Sequence, residues 1–445
     1  MKKIFIKDIL AKDVFCRDIE ILGWIENKRE HGAIIFWDVV DSTGKIQVLL
    51  IKKNFREKWE KIKNIPSETC VKIIGDRHCF IKERQKNIEV IAKTIEILGE
   101  YKLNITPRPR SLFPIFDRKY TNYILKNRSL YLRNPKQMAA ISFKSKFLYE
   151  LNRYFRDNNF VFIESPVLTE MLLYDDDTAF SFNFHGRKVY LTQCCTFQLE
   201  AAIIAFEKVY NITPSFRAES SRSNRHLNEY THLKVELAFA NLEDLISLAE
   251  DILYNMAKKM VKIGEKELEF LGVKFDLCEF KPSFRRISYD DAVKIFNKEG
   301  YRFQYGRNLS EKGVSILNRK LRNKLIWVQY PPRRAEAFPF KAFPHNPNLI
   351  MAADLIAPYG FGEIAGVAEK ICSKKELLER MTEKGKNTPR QLERYKSYIQ
   401  LRDAALPPHG GIGMGIDRIV RYFLKLPHVK DVVPYPRLFG HRWNP

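Results

Sequence analysis

Two stretches of the sequence concentrate charged, aromatic and glycine residues at spacings that build one binding face. The first is PSFRAESSRSNRHLNEYTHLKVELAF, from Pro214 to Phe239. In its second half Leu233, Val235 and Leu237 alternate with Tyr230, His232, Lys234 and Glu236. Successive side chains of a strand point to opposite faces, so the apolar set turns to a core while the aromatic and polar set shares the other side. Arg217 and Glu219 share a face by the same rule, and Ser220 to Asn228 is polar and basic enough to be a loop. An ordinary half-buried hairpin explains the alternation, but not an arginine and a glutamate gathered opposite a tyrosine. The second stretch is HGGIGMGIDR, from His409 to Arg418. Glycines at 411, 413 and 415 leave one strand face bare while Ile412, Met414 and Ile416 fill the other, so a flat group can lie against the backbone. Arg418 then starts a helix continued by Ile419, Val420, Phe423 and Leu424, and its guanidinium can stack on that group. A glycine-rich run alone often marks only close packing, and its weight comes from the hairpin beside it.

These stretches need a scaffold, and the chain of 445 residues is too long for one ordinary core, which predicts two domains. From Asp18 to Leu98 short β-rich runs (Ile19 to Trp24, Ala33 to Val40, Ile46 to Ile51, Val71 to Ile74, Ile88 to Ala92) are separated by turn and charge signals. They read as a five-stranded barrel, with a helical stretch, Phe55 to Ile62, where oligonucleotide-binding barrels place one. Thr106-Pro107-Arg108-Pro109-Arg110 reads as a stiff basic linker, giving domains at 1–100 and 119–445 with residues 101–118 between them. Beyond it, Gln137 to Asn158 has a helical period, Phe160 to Ile163 is a strand, and Leu242 to Ile263 is a helix on the outside of the domain. Helices and strands come in blocks without a βαβ rhythm, which predicts an α+β fold and not a doubly wound one.

Composition narrows the function classes. Lys and Arg number 76 against 53 acidic residues, a formal excess of +23 spread along the chain. That suits a polyanionic partner, although a composition heavy in Lys, Ile and Asn produces the same excess without one. The 7 cysteines are odd in number and show no CxxC spacing, which argues against a disulfide framework or a structural zinc site and fits a reducing cytoplasm. The start, MKKIFIKD, breaks its apolar run with charge too early for a signal peptide, and no stretch reaches about 18 apolar residues, so no membrane association is expected.

FRAE followed by RHLNEYTH and ELAF resembles the second signature of class II aminoacyl-tRNA synthetases, GGIGMGIDR resembles the third, and Phe160 to Thr169 the first. The likeness covers nearly the whole chain, and RHLNEYTHLKVELAF, PHGG and the closing Tyr435-Pro436-Arg437 are most similar to the asparaginyl members. The resemblance implies a catalytic domain built on an antiparallel sheet flanked by helices, a homodimer with Pro166 at its interface, ATP and Mg2+ as cofactors, and tRNA and an amino acid as partners. It implies that Arg217 binds the α-phosphate, Glu219 the adenine or ribose region and His226 the outer phosphates, with adenine between Tyr230 and Arg418 against Gly413 and Gly415. Asp354 and Glu363, in AADLIAPYGFGE, resemble the family's metal-holding acids. GWIENKREHGAIIFWDVVDSTGKIQVLL resembles the anticodon-binding barrel of the aspartyl, asparaginyl and lysyl enzymes, with Arg29, Phe36, Gln47 and Glu89 at the positions that read bases and an aromatic stacked on a central uridine.

The pocket implied for the amino acid, formed by Gln193, Thr196, Lys234, Glu236, Gly366 and Lys370, departs from the family pattern. Where asparaginyl enzymes usually show LTQSSQLYLE, this chain has LTQCCTFQLE, with Thr196 in place of a substrate-facing glutamine. Lys370 stands where an arginine normally clasps the substrate, and an ammonium cannot reproduce a bidentate fork. Lys234 replaces a glutamate that helps read the side-chain amide, a change of two charge units. Leu199 lacks the lysine of aspartyl enzymes. Three readings follow: an asparaginyl enzyme with a rebuilt pocket, a paralogue that adenylates aspartate or another acid with or without tRNA, or a tRNA-binding module without catalysis.

Overall fold

The computed structural model describes residues 4–11, 16–82, 85–174, 176–322 and 324–443. Residues 1–3 of the amino-terminal stretch considered for a leader lie outside them. The chain divides into two compact units, one of residues 1–113 with 133–135, the other of 114–132 with 136–445.

In the first unit, strands β1 (Cys16–His31), β2 (Ile34–Val40), β3 (Lys45–Ile51), β4 (Cys70–Lys82) and β5 (Gln85–Gly99) pair in the order β1-β2-β3-β5-β4, and β4 returns to β1 to close a barrel. Alternation drives it. Ile35, Trp37 and Val39 of β2 and Ile46, Val48 and Leu50 of β3 are buried, while Phe36, Asp38 and Gln47 between them face outward. The strands run further than their apolar cores suggest: β1 continues through Asn27, Lys28 and Arg29 to His31. Its outer face is solvated, so charged residues there cost little and gain cross-strand partners. The helical stretch between β3 and β4 is shorter than its period suggests, two 3-10 turns followed by a helix at Trp59–Asn64.

The second unit is α+β. Its main sheet has eight strands: β6 (Val161–Phe162), β7 (Lys208–Phe216), β8 (Glu229–Ala238), β9 (Arg285–Ser288), β10 (Ile326–Gln329), β11 (Ala352–Ala357), β12 (Gly362–Glu369) and β13 (His409–Gly415), in the order β9-β10-β11-β12-β13-β8-β7-β6. The six central strands are antiparallel, but the two edge strands run parallel to their neighbours, β6 to β7 and β9 to β10. The antiparallel sheet that the resemblance implies is present in the centre, and only the edges depart from it. There the chain reaches the sheet through helices and loops, the kind of long connection that permits parallel pairing.

Helices α1 (Pro135–Asp157), α3 (Leu242–Ile263) and α4 (Ile416–Phe423) pack on one sheet face around Leu233, Val235, Ile412 and Met414, while α2 (Thr196–Phe206) packs Leu199 and Ile203 against Val209 of β7. α3 begins where its sequence signals a start: Asn241 accepts from the backbone of Glu243 and Asp244, and Asp244 answers on the Asn241 N–H. Among the described residues no helix is long and apolar enough to cross a membrane.

Candidate active site

The face of the sheet turned away from that core carries the polar residues of the hairpin. β8 pairs with β13 so that His232 lies opposite Gly415, Lys234 opposite Gly413 and Glu236 opposite Gly411. The glycines therefore do more than leave room for a flat ligand. A Cβ at 413 would sit 2.8 Å from Lys234 Nζ, and one at 411 would sit 2.3 Å from Glu236 Oε2, so the bare backbone is where these side chains lie.

Above them opens a cavity of about 410 Å³ lined by both stretches, Arg217, Glu219, His226 and Tyr230 on one side and Gly411, Gly413, Gly415 and Arg418 on the other. Asp354, Glu363, Gly366, Thr196 and Lys370 complete the wall.

Arg217 and Glu219 lie just beyond the end of β7 and not within it. The chain still holds them together: Arg217 N–H bonds to Asn228 C=O, and its guanidinium donates to Glu219 at 3.2 Å and lies 4.3 Å from the Tyr174 ring centroid. Burial opposes the charge of Arg217, but Tyr230, Tyr174 and Glu219 hold it above the ordinary arginine value. Arg418 donates to the backbone oxygens of Arg225 and Glu363, which fixes it at the mouth. His226 packs Nδ1 against Ser221 and Ser223, and burial together with Arg418 lowers its pKa, so the ring is neutral near pH 7. His232 is held well below its usual value by burial and by Lys234, Arg217 and Arg418.

Three acids share one wall. Asp354 on β11 and Glu363 on β12 are joined by Glu336, which the sequence reading missed because it lies in a loop with no periodicity. Burial and the neighbouring Glu363 push Glu336 up to about 7, and burial with Glu363 and Glu336 pushes Asp354 well above the usual carboxylate range. Arg225, also missed, joins the cavity from the basic loop and pairs with Glu311 at 2.8 Å.

At the inner end Lys370 donates to Thr196 Oγ1 at 3.0 Å and lies 3.8 Å from Glu200. Glu200 accepts from Arg402 at 2.9 Å and Tyr398 at 2.7 Å, and His409 Nε2 stands 3.3 Å away. Burial would raise Glu200, yet Arg402, His409 and Lys370 overcome it and hold the carboxyl well below its usual range. Glu236 is raised by burial and by Glu200. Gln193, expected in the pocket, is not among the lining residues: its amide accepts from Tyr174 N and donates to Thr178, behind the wall.

On the barrel the four residues singled out share one outer face. Arg29 pairs in register with Phe36, its guanidinium 5.8 Å from that ring, and donates to Gln47 at 3.0 Å, which donates to Glu89 at 3.2 Å. An aromatic plate beside a chain of edge hydrogen-bonding groups suits an unstacked base.

Residues 120–438 match the family model described as tRNA synthetases class II (D, K and N), and residues 19–98 match an OB-fold nucleic acid binding domain. Among curated relatives, an asparagine--tRNA ligase of Thermococcus kodakarensis is 31% identical over 439 residues, 98% of each chain. One of Desulforamulus reducens is 30% identical over 427 residues, 95% of each. The crystal structure of asparaginyl-tRNA synthetase from Pyrococcus horikoshii complexed with asparaginyl-adenylate superposes with a TM-score of 0.88 at 28% identity, covering 100% of both chains. With an OB-fold domain ahead of this catalytic domain, the chain belongs to the class II tRNA synthetases of the D, K and N group.

Proposed function

We propose that the chain activates asparagine with ATP and transfers it to a tRNA, with residues 1–100 as the anticodon-binding barrel, 101–118 as the linker and 119–445 as the catalytic domain. The observation that carries this reading is the meeting of Arg217 and Arg418, remote in sequence, in one cavity of nucleotide size. Two curated relatives that cover 95% and 98% of the chain are asparagine--tRNA ligases.

In this reading the amino-acid carboxylate, ionised at neutral pH, attacks the α-phosphorus of ATP and pyrophosphate leaves, so no general base is needed. Arg217 faces the α-phosphate and stabilises the charge that builds there. Glu219 holds Arg217 in place and meets the adenine or ribose, while adenine lies between Tyr230 and Arg418 beside Gly413 and Gly415. Neutral His226 donates a hydrogen bond to the outer phosphates. Asp354 and Glu363 fit a divalent cation, because a bound positive charge would relieve the burial and the neighbouring carboxylates that raise the Asp354 carboxyl. Mg2+ held there would offset the negative charge of the leaving phosphates. Thr196, Lys234, Glu236, Gly366 and Lys370 receive the amino acid, with Gln193 bracing Tyr174 from behind. Arg29, Phe36, Gln47 and Glu89 read the anticodon, Phe36 stacking on a central uridine. The working form is a cytoplasmic homodimer with exposed Pro166 at its interface.

Arg217→Ala tests the central assignment. Asparagine-dependent exchange of pyrophosphate into ATP should fall at least about 100-fold, whereas near-normal exchange would remove Arg217 from the phosphate site.

A further inference from the structure

At the inner end of the cavity and in the layer just behind it, positive charge exceeds negative. Lys234, Lys370 and Arg402 face two carboxylates, Glu200 and Glu236. Arg402 closes on Glu200, and Lys370, between Glu200 and the Thr196 hydroxyl, is the cation acting most strongly on Glu236. The Lys234 ammonium acts on Glu236 as well, but more weakly than Lys370 does. It lines the cavity above Gly413, and among the described residues no hydrogen bond or ion pair reaches it. His409, which Cys372 and Glu200 hold protonated against the effect of burial, adds to the excess.

Lys234 is half-buried, so its surplus charge is only partly solvated and gains when a ligand neutralises it. Asparagine is neutral in its side chain, while aspartate has nearly the same shape and carries the missing negative charge. Between near-isosteres, selection rests on charge and hydrogen-bond sense and not on fit. An ammonium donates only, so Lys234 greets an oxygen and cannot accept from a side-chain NH2. Glu236 Oε1, buried and without a hydrogen-bond partner, is the acceptor an amide would use. The same oxygen tolerates a carboxylate beside it once protonated, the state that its burial favours.

Resting on the proposed amino-acid pocket, we propose that Lys234 makes the inner wall a carboxylate subsite, so that this chain activates aspartate as well as asparagine.

Pyrophosphate exchange is measured on the full chain with L-aspartate, L-asparagine and the other amino acids, in the wild type, K234E and K234R. In the wild type kcat/KM for aspartate should lie within about tenfold of that for asparagine, and K234E should lower the aspartate-to-asparagine ratio on the order of 100-fold while K234R keeps it within about tenfold. The ratio is internal to each preparation, so partial loss of folded protein cancels. If K234E yields no soluble protein, aspartate should still compete against asparagine in wild-type exchange, with an inhibition constant within about tenfold of the asparagine KM. Wild-type exchange with asparagine alone and no competition by aspartate overturns the carboxylate subsite and leaves the proposed function standing, as does a ratio that K234E does not change. Exchange with no amino acid at all overturns both.

Discussion

Charge placement governs the site at the scale of single residues. His409 shows the effect on stability. Burial opposes its proton, but contacts with Cys372 and Glu200 and the charge of Glu236 push its pKa up to about 10. An unfolded histidine titrates near 6.5, so the folded state binds the extra proton between the two values. That stabilisation is complete below about pH 6.5 and disappears as pH rises through about 10. His409→Gln should flatten this part of the curve, measured as melting temperature from pH 6.5 to 10. An unchanged slope would place the titrating group elsewhere. The sequence made Arg217, Tyr230, Lys234 and Arg418 legible because each sits in a patterned run beside glycines or alternating apolar residues. Glu336 and Arg225 had no such marker, since residues in irregular loops reach a cavity through tertiary folding alone. Gln193 misled for the opposite reason. Its neighbours Thr192 and Thr196 are as polar as a pocket wall, yet the amide is consumed by Tyr174 and Thr178.

The strand pair β8 and β13 is the element on which the site stands. One face supplies Leu233, Val235, Ile412 and Met414 to the core; the other lays His232, Lys234 and Glu236 over glycines. This division was readable from period-two alternation. What the alternation does not contain is the lock behind it. Asp417, at the start of α4, accepts from Thr231 N–H at 2.8 Å and pairs with Lys144 of α1 at 2.6 Å, both side chains nearly buried. Three elements are tied at one carboxylate. Asp417→Ala leaves Lys144 buried without a counter-charge and should destabilise the catalytic unit by about 3 kcal/mol, measured by urea unfolding. A change within experimental error would show that the link is incidental. The edge strands were harder to foresee, because β6 and β9 are two and four residues long and their parallel pairing is decided by the connections that deliver them.

For the molecule as a whole, two units carry separable tasks in this account. The barrel was legible as five β-rich runs, although its strands extend through charged residues that periodicity alone would end at Trp24. Those extensions matter, since Arg29 lies in one of them and reaches both Phe36 and Gln47. Phe36→Ala should weaken tRNA charging by about tenfold or more through lost base stacking while leaving adenylate formation intact. Equal loss of both activities would contradict the division. The excess of +23 suits the nucleic-acid partner and does not by itself identify it. The most direct measurement of the central claim is asparagine-dependent exchange of labelled pyrophosphate into ATP by the wild-type protein, followed by charging of total tRNA in the same preparation. Exchange should require asparagine or its close analogue, and the same preparation should yield aminoacylated tRNA. Folded protein that binds tRNA but supports no exchange with any amino acid would contradict it.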